Sequence, residues 1–61
     1  MKKGDKVIVP AMVNGYGIDI TGFVTEIEIV MGRKLITVSY LNSDPAGRLG
    51  GCFFENQIIL N

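Results

Sequence analysis

The sequence predicts an all-β fold, five short strands curled into a small barrel, and three observations carry that prediction. Apolar and polar residues alternate with the period of a half-buried strand, most clearly in Ile36-Thr37-Val38-Ser39-Tyr40. Turn-forming clusters recur at close spacing, at Asn14-Gly15, at Gly32 and from Asn42 to Gly47. In the longest apolar segment the phase slips once: Ile20, Gly22 and Val24 fall on one face, but Ile27 follows Val24 by three residues rather than two. A β-bulge near Thr25-Glu26 restores that phase and bends the strand, which is how a small sheet turns a corner.

The first strand starts at Lys6, launched by the Gly4-Asp5 turn, with Val7 and Val9 on one face. It reads on as far as Val13, but Pro10 carries no N–H for a ladder, so the strand ends there or lies on an edge. Asn14 to Asp19 is expected to be a flexible loop, because Asn14-Gly15 and Gly17 favour positive φ. Tyr16 and Ile18 stand inside it. The second strand spans Ile20–Met31, and Gly32-Arg33-Lys34 is the hairpin connection to a third strand, Leu35–Leu41. Asn42–Gly47 is a loop. Leu49–Phe54 forms the fourth strand, Glu55-Asn56-Gln57 a short polar break, and Ile58-Ile59-Leu60 the fifth. No window holds helical periodicity over three turns. Closing these strands into a barrel removes the edges that otherwise aggregate.

Composition narrows the function classes. A chain of 61 residues holds one domain and buries only about 60% of its unfolded surface. Cys52 is the sole cysteine and there is no histidine, so neither an internal disulfide nor a structural zinc site can brace the fold. No cofactor or metal is expected. Six Lys or Arg balance six Asp or Glu, whereas nucleic-acid binders draw on a basic excess. No apolar run nears the roughly 18 residues that cross a bilayer. With one thiol and no leader pattern, a cytoplasmic setting is expected. The 48% apolar content is high for so small a chain, and either a rich core or a covered surface accounts for it.

Gly4-Asp5-x-Val7-x-Val9, Gly22-x-Val24, Ile36-x-Val38-x-Tyr40 and the ending Phe53-Phe54-Glu55-Asn56-Gln57-Ile58-Ile59-Leu60 together resemble the SH3-like barrel. The resemblance implies a 3-10 turn at Glu55-Asn56-Gln57, before the last strand. The layout is most similar to the small SH3-like protein of photosystem I and to KOW-type modules of transcription and ribosomal proteins. It is also similar to the tetrameric plasmid-type dihydrofolate reductase. Three departures limit what carries over. The aromatic groove and acidic loop of peptide-binding SH3 domains are reduced here to Tyr16 and Asp19. The basic excess of KOW modules is missing, as is the Val-Gln-Ile-Tyr run of the reductase. Fold alone does not set function.

No catalytic residues are assigned. Cys52 has no histidine to activate it, and free cysteine is commonly buried, so a structural place in the core is expected. Glu26 and Glu28 share a strand face; a solvated face, paired across the hairpin with Arg33 or Lys34, explains them better than a glycosidase pair, which needs a cleft. Gly50-Gly51 precedes no helix and reads as a strand bend rather than a phosphate cradle. Of the adjacent Phe53 and Phe54, the resemblance and the spacing to Ile58 imply Phe53 inside and Phe54 outside or at an interface, unless a bulge buries both.

Two functional expectations follow. The first is a non-catalytic protein-interaction module, an accessory subunit, inhibitor or self-associating barrel, docking through Tyr16, Ile18, Phe23 and Phe54. Tyr16 folding back to cap one barrel end is the competing reading of that residue. The second is a KOW-like nucleic-acid module contacting its ligand through Lys2, Lys3, Lys6, Arg33, Lys34 and Arg48, a reading that the zero net charge disfavours. No membrane contact is expected.

Overall fold

The computed structural model describes residues 1–61. It is mostly β: five antiparallel strands in one sheet, β1 (Lys6–Val9), β2 (Ile20–Val30), β3 (Arg33–Ser39), β4 (Gly50–Phe54) and β5 (Ile59–Leu60), in the order β4-β3-β2-β1-β5. A 3-10 turn, Glu55–Gln57, separates β4 from β5. The Gln57 side chain folds back to accept the Phe54 N–H at 2.9 Å.

The phase slip is a bulge. Val24 faces Val38 and Glu26 faces Thr37, which leaves Thr25 unopposed. The extra residue returns Ile27 to the inner face opposite Ile36, where it packs against the core. That core is a single cluster of Val7, Val9, Ile20, Val24, Ile36, Val38, Tyr40 and Ile58. Gly22 lies on the same face by its alternation with Ile20 and Val24, and it carries no side chain where β3 comes close beside it. A Cβ there would stand 2.5 Å from Val38 Cγ1 and 2.9 Å from Tyr40 Cδ1.

Several expectations are corrected. The first strand stops at Val9, and Pro10 caps a one-turn helix, α1 (Ala11–Asn14), that ends on Gly15 in the left-handed region. Pro10 has no N–H to continue a ladder, and its carbonyl instead accepts the N–H groups of Val13 and Asn14 at 2.9 and 3.0 Å, which closes the helical turn. Residues Met31 and Gly32, both at positive φ, form the hairpin connection, and β3 begins at Arg33. Ile29 has the inner-face phase yet is 67% exposed. The cause is length: eleven residues at about 3.3 Å each give β2 a reach of over 30 Å. Its far end, with the start of β3, therefore projects past the core. The hydrogen-bonded ladder does not close. β4 pairs only with β3 and β5 only with β1, so both retain a free edge.

Cys52 is exposed, with Sγ 3.4 Å from Thr37 Oγ1 on the outer face. It alternates with Gly51 and Phe53, whose phase matches the buried Val38 and Ile36, so the core place belongs to its neighbours. Phe53 accordingly packs against the core, as expected. Phe54 lies on the outer face, half-buried beneath Arg33.

Candidate functional site

Two loops meet at the end of the sheet where β1 passes into β2. The first is α1 with Gly15–Asp19, and it is tied down rather than flexible. Asn14 Nδ2 donates to the carbonyls of Val9 and Ile18, both at 2.9 Å, and Asn14 Oδ1 accepts from Tyr16 N–H at 2.7 Å. Asp19 Oδ1 accepts the Ala11 N–H at 2.9 Å, which closes the loop at its base. Asparagine suits this position because one short amide carries both donors and acceptor. The loop holds Tyr16 and Ile18 on ordered backbone, yet leaves them 55% and 53% exposed.

The second loop runs from Tyr40 to Leu49 and is organised by Asp44. That carboxylate, 3% exposed, accepts from the N–H groups of Ala46 and Arg48 and from Arg48 Nη1 at 3.0 Å. Ser43 Oγ lies 2.7 Å from the Thr21 carbonyl and anchors this loop to the start of β2. The join between the loops is a cation–π contact: the Arg48 guanidinium lies 4.7 Å from the Tyr16 ring centroid. Beneath lies Tyr40, whose hydroxyl is buried and has no hydrogen-bond partner. Burial, with smaller contributions from Tyr16 and Asp44, holds its pKa above the ordinary 10.0.

The four expected docking residues are not gathered in one place. Tyr16 and Ile18 share the first loop. Phe23 lies on the outer face between Lys6 of β1 and Ser39 of β3. Phe54 sits across from Leu35, which faces Glu28, eight residues further along β2 than Ile20 (28 − 20). Its ring is covered by Arg33, 3.9 Å from the centroid, with Arg33 Nη2 also 3.4 Å from Asn56 Oδ1.

The six cations are equally dispersed. Lys3 pairs with Glu26 at 3.3 Å, Lys34 with Glu55 at 4.0 Å and Arg48 with Asp44. Glu26 thus pairs with the N-terminal segment rather than across the hairpin. The sheet order explains this: the Gly4 N–H donates to the Val24 carbonyl, which lays residues 2–5 alongside the bulge. With Arg33 on Phe54, only Lys2 and Lys6 have neither a carboxylate nor a ring against their charge.

Sequence reasoning does not find Asp44 and Arg48 as the pair that organises this loop. Asp44-x-x-x-Arg48 has the spacing of a local ion pair, but within a Ser-Asp-Pro-Ala-Gly loop it reads only as turn composition.

Comparison with protein families, with curated proteins and with solved structures finds no match.

Proposed function

We propose that this chain is a non-catalytic protein-interaction module, a sheet rolled toward an SH3-like barrel, that docks a protein partner through Tyr16 and Ile18. One observation carries the reading. An aromatic and an aliphatic side chain, each more than half exposed, are held on a loop fixed by the hydrogen bonds of Asn14 and by Arg48. Preordering matters because a docking residue that is already placed loses little entropy on binding. Tyrosine adds a large rigid face with a polar tip, the residue type that dominates interface energetics. The SH3-like layout draws support from the bulge at Thr25, which curls the sheet, and from the 3-10 turn before β5, where the resemblance puts it.

The nucleic-acid alternative loses support, since four of its six cations are already engaged within the chain.

The test is affinity capture from the native cell extract on immobilised wild type, Tyr16→Ala and Ile18→Asp, read by mass spectrometry and, for any enriched protein, by titration. A partner retained by wild type and lost by both variants is the expected result. A partner held equally by all three overturns the assignment of the surface.

A further inference from the structure

We infer that the free edge of β4 pairs with the same edge of a second copy of this chain, giving an antiparallel β4–β4 dimer whose two-fold axis passes beside Cys52. The inference goes beyond the docking loop and uses none of its residues.

The Tyr40 N–H donates to the Leu49 carbonyl at 3.1 Å, in phase with the Val38–Gly51 and Ile36–Phe53 pairs. Alternation along an antiparallel ladder then turns the N–H and C=O groups of Gly50, Cys52 and Phe54 away from β3. No other strand pairs with them. Gln57 occupies the Phe54 N–H. The groups that remain are those of Gly50 and Cys52 and the second lone pair of the Phe54 carbonyl, whose first serves the 3-10 turn, and an extended backbone is the chemistry that satisfies such a row. Charge and proline, two of the usual protections of an edge, are absent. The run Gly50-Gly51-Cys52-Phe53-Phe54 has no proline, no lysine and no other charge.

A second copy fits because the edge is complementary to itself. With Cys52 opposite Cys52, Gly50 meets Phe54 of the other copy and Gly51 meets Phe53. At each position an aromatic side chain stands across from a residue that has none. Gly50 cannot be replaced cheaply, since it has φ +132 with a Cβ running into the Val38 carbonyl, and over Gly51 lies the ring of the same chain's Phe53, its tip 3.0 Å from where a Cβ would stand. The two Cys52 residues exchange two hydrogen bonds, and each Gly50 N–H reaches a Phe54 carbonyl, while Gln57 keeps the Phe54 N–H. No like charges meet in the strands, and the chain carries no net charge to oppose association.

Hydrogen exchange and sedimentation across a concentration series test this on the full chain. At high concentration the amides of Gly50 and Cys52 are expected to exchange about tenfold more slowly, while those of Gly51 and Phe53, already bonded to β3, do not change. Sedimentation is expected to give a monomer–dimer equilibrium for wild type and Cys52→Ser. Cys52→Lys, which places an exposed charge at the axis, is expected to stay monomeric with an unchanged urea midpoint. A wild type that remains monomeric up to about 1 mM, or a Cys52→Lys chain that dimerises as wild type does, overturns the inference. So does a dimer that Tyr16→Ala dissociates, because association would then run through the loop.

Discussion

The Arg48 guanidinium stacks on the Tyr16 ring at 4.7 Å while its Nη1 holds Asp44 at 3.0 Å, so one side chain links the loop that carries Tyr16 to the loop that follows β3. The two contacts differ in weight. Asp44 is nearly buried and accepts from three donors, whereas the Tyr16 ring is half exposed. Asp44→Ala is expected to destabilise by about 1.5–3 kcal/mol, the range for hydrogen bonds to a charged group. Tyr16→Ala removes a cation–π contact of about 0.5–1 kcal/mol. Urea unfolding of both variants and of Arg48→Ala checks the order. A Tyr16 variant less stable than the Asp44 variant would mean that Tyr16 plugs the end of the sheet rather than presenting itself to a partner.

Tyr40 presents the opposite situation, a polar group with nothing to bond. It is 1% exposed and its hydroxyl has no partner. Burying an unbonded hydroxyl costs about 1–3 kcal/mol, so Tyr40→Phe is expected to raise stability by about 1 kcal/mol while preserving the packing. The raised pKa fixes the pH dependence. Above about pH 10 the unfolded chain loses the phenolic proton while the folded chain keeps it. The native state then binds more protons, and stability falls as pH rises from there toward the folded-state pKa. Urea midpoints between pH 8 and 11 should therefore decline above pH 10, and less steeply in the phenylalanine variant. Equal slopes would place the hydroxyl in contact with water.

Gly22 marks the closest approach of β3 to β2 on the inner face. Any Cβ there meets Val38, the Ser39 carbonyl and Tyr40 at under 3 Å, and the carbonyl is backbone that cannot swing aside. Gly22→Ala is expected to cost about 1–3 kcal/mol, as overpacking does, despite the better strand propensity of alanine. A thermal melt that shows the variant equal to wild type would indicate a looser seam between the strands.

These elements differ in how far the sequence discloses them, and the reason is physical. The bulge at Thr25 is readable because two runs of buried residues, Ile20 to Val24 and Ile27, impose incompatible phases on one strand. The same parity argument puts Phe53 inside, and it also puts Cys52 outside. The general tendency of cysteine to be buried misleads where alternation with Phe53 serves. Ile29 has the right parity but lies beyond the reach of the core, and period alone carries no information about where a core ends. The helical turn after Pro10 is too short to show a period. The link from Arg48 to Tyr16 spans two loops, and no local pattern encodes a contact between segments 32 residues apart (48 − 16).

The β2–β3 hairpin supplies a last prediction. Its two-residue turn places both Met31 and Gly32 at positive φ, 53° and 76°, as the twist of antiparallel strands favours. Glycine adopts that region freely, but methionine crowds its Cβ against the following carbonyl at a cost of about 1–2 kcal/mol. Nothing in the fold offsets this, because Met31 is 96% exposed and its side chain packs on no core residue. Asparagine tolerates the left-handed region, and Asn-Gly is the preferred pair for such turns. Met31→Asn is therefore expected to stabilise by about 0.5–1 kcal/mol, raising the urea midpoint without changing its slope. Because the turn lies far along β2 from Tyr16, capture of a partner through the proposed surface of Tyr16 and Ile18 should be unaltered. A lower midpoint would show that Met31 makes a contact at the hairpin tip that outweighs its backbone strain.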